Sequence, residues 1–572
     1  MNIVNISKYI PILNWAKNYT YPQAAGDFTA AVIVTLMLIP QALAYAMLAG
    51  LPAYIGLYAS MIPLIAYGVF GTSSVLAVGP VAIAALMTAT AIAPYSAIDL
   101  SLGMMAAVVM AIISGVMLLT AGILRLGFLA NFLSHPVITG FISAASLLIA
   151  LSQLAVLLGF SVSGDNVVIL AGSIWKNIHL TQINTLLLST LTITILIFSR
   201  KYAARLFNSL GFSNFFSLVL TRSIPAILVA ISTVLMSLDI SWLSGIKTIG
   251  DINAGLPVIS VPKINLEIVF SLLLPATLIT IVSYVESISV AQSLAVKKRE
   301  HIDPDQELIA LGIANIAAGI SSSLPVAGGV SRSAVNADAG AMTPAASVLT
   351  GIGIMLSTIL LNEWLGVLPR FILAATIVVA VLSLFDIKAF HQAWLLNKQD
   401  FFALFITFIL TLFISVEVGI STGVILSITM HVFRSSRPHI AIVGKVSGTE
   451  HFRNVDRQNV IVHPHFITLR IDESLYFANI NFLQKKILEI VKHNKNLKHL
   501  VLMCPAVNNI DISAIHVLET VNDQLRETGI KLHLSEVKGP VMDTLKRSNL
   551  LEKLSGEVFL SQYMAYTKLS GH

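Results

Sequence analysis

The chain has 572 residues, 56% of them hydrophobic and only 11% charged, with a mean hydropathy of +0.84. Soluble globular chains are typically about a quarter charged, so a wholly soluble protein is excluded and most of the length belongs in lipid. A net charge of +6 and a pI near 9.2 do not call for nucleic acid and match the basic bias of cytoplasmic loops. The single cysteine, Cys504, excludes an intramolecular disulfide and a cysteine metal cluster.

The first apolar run, 28–49, is too long for the apolar core of a cleaved signal, and many more spans follow it. Runs that cross, or nearly cross, a hydrocarbon core of about 30 Å lie at 54–70, 74–94, 101–123, 136–158, 182–199, 221–237, 267–293, 307–322, 345–361, 371–385, 401–415 and 418–433. A fourteenth segment, 331–342, is broken by Arg332 and Asp338. Fourteen spans put both termini on one side. That side carries Arg125, Arg200, Lys201, Arg205, Arg222, Lys297, Lys298, Arg299, Lys388, Lys398, Arg434 and Arg437, against Lys176, Lys247, Lys263 and Arg370 on the other. The bias makes the termini cytoplasmic. His135, before Pro136, reads as a loop or helix-start residue, Glu417 as part of the turn between the last two spans, and Lys297–Glu307 as a solvated cytoplasmic loop.

Two kinds of polar interruption recur. The first span contains Ile39-Pro40-Gln41-Ala42-Leu43-Ala44-Tyr45-Ala46, and the span 267–293 contains Tyr284-Val285-Glu286-Ser287-Ile288-Ser289. Downstream of each lies a Gly-rich break, Ser73 to Pro80 and Pro325 to Ser333, after gaps of similar length. Seven spans per half invert the halves relative to each other, and paired breaks at matching positions point to a site near the midplane between discontinuous helices. Arg332 sits in the second break. An arginine at membrane depth, like irregular backbone there, is tolerated only against protein or a water-filled cavity, so a fixed cation beside a broken helix suggests a buried anion site.

Charges become frequent from Arg434 onward, which divides a membrane domain, 1–437, from a soluble one, 438–572, with a linker over about 438–455. In the tail, Phe466–Ile471, His499–Met503 and Ile530–Leu534 read as strands and Ile480–His493 as a helix; Pro540 opens another helix, where its missing N–H costs nothing. Asp511-Ile512-Ser513-Ala514 lies in a loop leading into a helix. His463 and His465 make two histidines with no further ligand in sight, a weak case for metal. No phosphate-binding loop or metal-ligand cluster supports an ATPase or an enzyme, and no cofactor is expected.

The stretch from Ile39 through Tyr45 to Pro52 and Tyr58, the Ala77-Val78-Gly79-Pro80 segment, Val285-Glu286-Ser287-Ile288 and Ser331-Arg332 resemble the sulfate permease (SulP) family of anion transporters. The resemblance runs over nearly the whole chain. It implies an α-helical polytopic membrane protein of about 14 spans, built as a 7+7 inverted repeat split into core and gate. Short strands would precede half-helices beginning near Pro80 and Ser331. The tail resembles the cytoplasmic α/β STAS domain shared with bacterial anti-sigma-factor antagonists, in which the serine matching Ser513 is phosphorylated. Here Asp511 and Ser513 are candidates for regulation or, more simply, for capping a helix.

The candidate anion site comprises Gln41, Tyr45, Val78, Gly79, Gly329, Val330, Ser331 and Arg332. Two facing half-helix N-termini offer N–H groups and partial positive charge, Ser331 a hydroxyl and Arg332 several donors. Gly79 and Gly329 let backbone approach the ligand closely. A structural ion pair of Arg332 with Asp338 or Glu286 is the other reading of the arginine, an interhelical hydrogen bond that of Gln41, and plain packing that of Tyr45. Glu286 is the coupling candidate, a buried carboxylate able to take up a proton when an anion arrives; proton-coupled members of the family use the matching glutamate so. The expected activity is proton-coupled sulfate symport across the inner membrane. Bicarbonate or C4-dicarboxylate symport, an exchanger or channel, and a membrane-anchored signalling protein remain open. Sodium coupling is disfavoured, because the arginine repels a cation there. The resemblance also implies a homodimer, and the STAS domain a possible cytoplasmic protein partner.

Overall fold

In the computed structural model the described residues are 9–128, 134–162, 164, 166–238, 241–243, 245–250, 255–260, 265–360, 364 and 366–571. Lys263, used above for orientation, lies outside them. The chain divides into two compact units, residues 1–427 and 428–572.

Among the described residues of the membrane unit, fourteen helices correspond to the expected spans. The first half has α1 (Tyr21–Leu48), α2 (Ile62–Phe70), a two-residue strand β1 (Val78–Gly79), α3 (Ala82–Ser96), α4 (Leu100–Ile123), α5 (His135–Leu157), α6 (Ile183–Phe198) and α7 (Asn214–Ser237). The second has α8 (Leu266–Lys298), α9 (Pro304–Ile320), β2 (Ala327–Gly328), α10 (Val330–Asp338), α11 (Ala345–Leu360), α12 (Arg370–Leu382), α13 (Lys398–Phe413) and α14 (Val416–Ser436). Strand and half-helix thus occupy matching places in each half of the 7+7 inverted repeat. The segment 74–94, read above as one span, is extended chain up to Val81 and helix only from Ala82. Short helices at Val167–Asn177 and Ile387–Leu396 went unread in the sequence. Glu417 lies in the first turn of α14 rather than in the turn before it.

The core bundle packs α4 along α9 and α8, while α5 of the gate packs against α12 and α13. Between α4 and α9 the backbones touch. A Cβ on Gly115 would stand 2.8 Å from Gly312 O, and one on Gly312 would stand 2.6 Å from Leu119 N. Membrane helices associate through such close packing, because lipid offers no hydrophobic drive between them.

Two fully buried carboxylates pin the halves together. Asp27 of α1 accepts from Met342 N at 2.6 Å, Thr343 N at 3.0 Å, Thr343 Oγ1 at 2.5 Å and Tyr19 Oη at 3.1 Å, holding the chain before α11. Glu307, in the first turn of α9, accepts from Tyr67 Oη at 2.8 Å, Thr72 N at 2.8 Å, Thr72 Oγ1 at 2.6 Å and Ser73 N at 3.1 Å. Glu300 accepts from Ser74 Oγ at 2.6 Å. The reading of Lys297–Glu307 as a solvated loop is therefore corrected. Glu300 and Glu307 satisfy N–H and hydroxyl groups where the chain before β1 leaves helix, a role hydropathy does not reveal.

The second unit carries a six-stranded sheet of order β4-β3-β5-β6-β7-β8: β3 (Ile440–Lys445), β4 (Phe452–Asn454), β5 (Phe466–Ile471), β6 (His499–Met503), β7 (Lys531–Ser535) and β8 (Val558–Phe559). β3 pairs antiparallel with β4 and β5, and β5 through β8 run parallel. The expected linker at 438–455 is corrected: β3 and β4 make it part of the sheet, and alternating burial along β3 packs Ala441 and Val443 inward. Helix α15 (Ile480–His493) buries Ile480, Leu483, Ile487 and Ile490, one stripe at helical spacing. Helices α16 (Ile512–Glu527), α17 (Gly539–Lys546) and α18 (Gln562–Ser570) complete the unit.

Candidate functional site

β1 and β2 pair antiparallel, Val78 opposite Gly328 and Gly79 opposite Ala327. The two strands satisfy each other's backbone at membrane depth, where no water does so. Side chains complete the clamp. Gly328 N–H donates to Ser287 Oγ at 2.8 Å, and Ala77 N–H to Ser333 Oγ at 2.9 Å. Asn315 holds Val326 through both its N–H and its carbonyl at 2.9 Å, and Asn336 Nδ2 donates to Val75 O at 3.0 Å. Of these, Asn315, Ser333 and Asn336 escaped sequence reading; their only signal is a polar residue inside an apolar run.

Each strand feeds a half-helix. The first helical bond of α3 is Ala85 N to Val81 O at 2.9 Å, and that of α10 is Ser333 N to Gly329 O at 3.0 Å. The N–H groups of the preceding residues are the unsatisfied donors that every helix N-terminus presents. Between the half-helices lies a cavity of about 290 Å³, lined by Gln41 and Tyr45 of α1, Val81–Ile83, Glu286 of α8, Gly329–Arg332 and Ala334, with Arg200 and Ala380, Val381, Ser383 and Leu384 on the gate side. This is room for roughly ten waters at about 30 Å³ each. Gln41 and Tyr45 are four residues apart and share a helix face.

Arg332 is only 2% exposed. Its Nη1 donates to Pro80 O at 2.8 Å, joining the two halves, while Nε and Nη2 have no hydrogen-bond partner among the described residues. Glu286 Oε2 is likewise buried without a partner. Among the described residues, no salt bridge joins Arg332 to Asp338 or to Glu286. Glu286 backs onto an apolar pocket of about 30 Å³, lined by Val137, Phe141, Val282, Ile420 and Val424 among others.

The glycines act differently from the sequence expectation. A Cβ on Gly329 would lie 2.9 Å from both Nε and Nη2 of Arg332, and one on Gly79 would lie 3.2 Å from Nη1. They make room for the guanidinium rather than for the ligand. Gly79 also adopts φ +153°, which L-residues rarely do. Val78 is fully buried in the core and lines no part of the cavity; its strand partner, not its side chain, is its contribution. Gln41, Tyr45, Glu286, Gly329, Val330, Ser331 and Arg332 do meet in one place.

Arg200 reaches the cavity although its sequence position reads as a loop. It lies in a widened turn, Ser199–Ala203, that continues α6, and donates from Nη1 to Val379 O at 2.9 Å and from Nη2 to Ser383 Oγ at 3.3 Å. A basic residue ending an apolar run looks the same whether it enters water or folds back.

In the second unit, Asp511 Oδ1 accepts from Ala514 N at 2.8 Å and Oδ2 from Phe477 N at 2.9 Å. Asp511 thus caps α16 and ties it to the preceding loop; Ser513 is exposed in the first turn. The rings of His463 and His465 are 5.7 Å apart, and among the described residues no cluster of three metal-ligating side chains exists. His533 accepts a hydrogen bond at Nδ1 from Glu557 N at 2.9 Å, so its proton sits on Nε2, which donates to His499 Nδ1 at 3.0 Å. Burial, with the neighbouring His499, pushes the His533 pKa down to about 4.

Residues 25–407 match the model of the sulfate permease family, and residues 457–564 that of the STAS domain. Among curated proteins, the chain is 32% identical to "Sulfate transporter 4.1, chloroplastic" of Arabidopsis thaliana, over 97% of this chain and 81% of that one. It is 29% identical to "High affinity sulfate transporter 2" of Stylosanthes hamata, over 98% and 86%. Among solved structures, murine Slc26a9, described as an anion transporter, superposes with TM-score 0.89 at 22% identity over 100% and 96% of the two chains. The transmembrane domain of the cyanobacterial bicarbonate transporter BicA superposes with TM-score 0.59 at 20% identity, over 72% and 98%.

Proposed function

This chain belongs to the sulfate permease family, and on that premise we propose that it is a secondary anion transporter that carries sulfate together with protons. One observation supports this above all. The guanidinium of Arg332 is buried with two unpartnered nitrogens beside a cavity into which two half-helix N-termini also point. A buried cation short of partners is unfavourable until an anion supplies acceptors. A tetrahedral oxyanion has enough oxygens to accept from Arg332, from the donors of α3 and α10 and from Ser331 together. Gln41 and Tyr45 wall the opposite side and orient it.

Coupling follows from charge. With Glu286 ionised, an entering dianion meets a like charge in the same cavity. At an effective dielectric of about 20 and a separation of about 6 Å, each pair of like unit charges costs about 3 kcal/mol. Protonation of Glu286 removes that cost, so anion and proton bind together. The apolar pocket behind Glu286 leaves the anion cavity as the proton's polar route. Alternating access arises as the core, bearing Arg332 and Glu286, moves against the gate, bearing α5, α6 and α12.

We place the termini and the STAS domain in the cytoplasm and the membrane unit in the inner (plasma) membrane, as the distribution of basic residues supports; assembly as a homodimer is part of the same proposal. The decisive experiment is uptake of labelled sulfate, bicarbonate and succinate into proteoliposomes, with and without an inward proton gradient, for wild type, Glu286→Gln and Arg332→Ala. Sulfate accumulation that requires the gradient and is uncoupled by Glu286→Gln supports symport. Flux indifferent to pH, with Glu286→Gln silent, replaces it with an exchanger or channel; accumulation of another anion replaces the substrate.

A further inference from the structure

A second cavity lies on the same seam between core and gate. It measures about 680 Å³ and is lined by the end of α1 and the turn after it, from Ala44 to Gly50, by α3 from Leu86 to the residue after its end, Ala97, by Ser152, Gln153 and Val156 of α5, by Ser161, Val162, Gly164 and Leu170, and by Arg370, Leu373, Ala374 and Ile377 of α12. Three helices therefore line both cavities. On α3 the change of side falls between Ile83 and Leu86 and on α12 between Ile377 and Ala380, while on α1 the adjacent Ala44 and Tyr45 face different cavities. Three residues of helix rise about 4.5 Å, so the partition is roughly one turn thick. The cavities are the two ends of one route, and α12 spans them, with Arg370 at its first residue and the Arg332 cavity at its last turn.

Arg370 is the only charged residue among the described residues that line the larger cavity. Its remaining polar groups, Thr90, Ser96, Ser152, Gln153 and Ser161, are hydroxyls and an amide that donate as well as accept; the Thr90 and Ser152 hydroxyls already donate to Leu86 O at 3.0 Å and Ile149 O at 2.8 Å, so Arg370 is the group that selects for an anion. Arg370 is held in place: Nε donates to Thr248 O at 2.9 Å and its backbone N–H to Lys247 O at 3.0 Å, which fixes the guanidinium at the cavity wall. A single-sign charge inside low-dielectric walls concentrates counter-ions.

We propose that this cavity is a second anion-binding site, at the membrane face opposite Arg200, which takes a small hydrated oxyanion or carboxylate before it reaches Arg332. The proposal rests on the transport reading above. Its volume, more than twice that of the Arg332 cavity, suits an ion that still carries water. Arg370 is the residue that sets affinity on this face alone, because the partition separates it from the other.

The test uses full-length protein in oriented proteoliposomes, with sulfate presented from one face at a time. Arg370→Gln should raise KM on the Arg370 face about tenfold, the lower end of what a focused charge does to encounter, and leave KM on the Arg200 face unchanged. Adding Gln153→Lys to Arg370→Gln returns a cation to the same cavity at a different place and should restore KM; Gln153→Lys alone should lower KM on that face, which keeps the test intact if Arg370→Gln fails to fold. Equal KM changes on both faces, or a loss that Gln153→Lys does not repair, overturn the site. Arg332→Ala is run in parallel: if it transports normally the transport reading itself fails, whereas loss from both faces with a symmetric Arg370→Gln sinks this inference alone.

Discussion

Substitution of Gly329 by alanine tests the placement of the guanidinium without touching a charged group. Gly329 sits at φ −90°, ψ 124°, a conformation open to any residue, so the backbone is not strained. Alanine is a poorer N-cap than glycine, worth at most about 1 kcal/mol in α10. The added Cβ is the real perturbation, since it stands 2.9 Å from Nε and Nη2 and 3.2 Å from Cζ of Arg332. To reach an ordinary contact the guanidinium must retreat by about half an ångström or more, against a 2.8 Å bond to Pro80 O. Losing that charged hydrogen bond costs about 1.5–3 kcal/mol, equivalent to roughly 10–150-fold in affinity. Sulfate KM in proteoliposomes should therefore rise at least tenfold, while the melting temperature in detergent falls by only a few degrees. A Gly329→Ala protein with wild-type KM would refute the argument, because the guanidinium then cannot occupy the space the glycine vacates.

Arg332→Lys keeps the charge but loses the planar fork that holds Pro80 O and still faces the cavity; uptake should survive with KM raised about tenfold, against near-complete loss for Arg332→Ala. Glu307→Ala leaves Thr72, Ser73 and Tyr67 without their shared acceptor and should destabilise the membrane unit by about 3 kcal/mol or more, at about 1–3 kcal/mol for each buried donor left unsatisfied, read as a fall in detergent melting temperature, with Glu307→Gln intermediate. In the STAS unit, His533 titrates near 4 when folded and near 6.5 when unfolded. The unfolded chain then binds the extra proton between those values, so this contribution is complete above about pH 6.5 and is lost as pH falls toward 4, by about 2–3 kcal/mol. Calorimetry of the full chain at pH 4.5 and 7 should show a smaller shift of the STAS transition for His533→Gln than for wild type; equal shifts assign the acid sensitivity to other groups.

Much of this protein was legible in its residues because lipid and helix geometry impose local rules. Apolar length located the spans, period-two and helical stripes located the strands and helices from Phe466 onward, and an arginine inside a Gly-rich break pointed to the cavity that the fold builds beside it. A polar residue that membrane burial makes costly announces itself in one dimension. What only the tertiary structure decided is who satisfies whom. Glu307 reads as loop and is a buried acceptor; Arg200 reads as a flank and reaches the cavity; residues 438–455 read as linker and pair into the sheet. Gly79 and Gly329 were read as making room for the ligand, whereas their missing side chains admit Arg332. The reason is common to all four. Burial of a polar group, pairing of an edge and the space beside a glycine are settled by which segments meet in space, whether they are near or far in the chain, and local pattern carries no record of the partner.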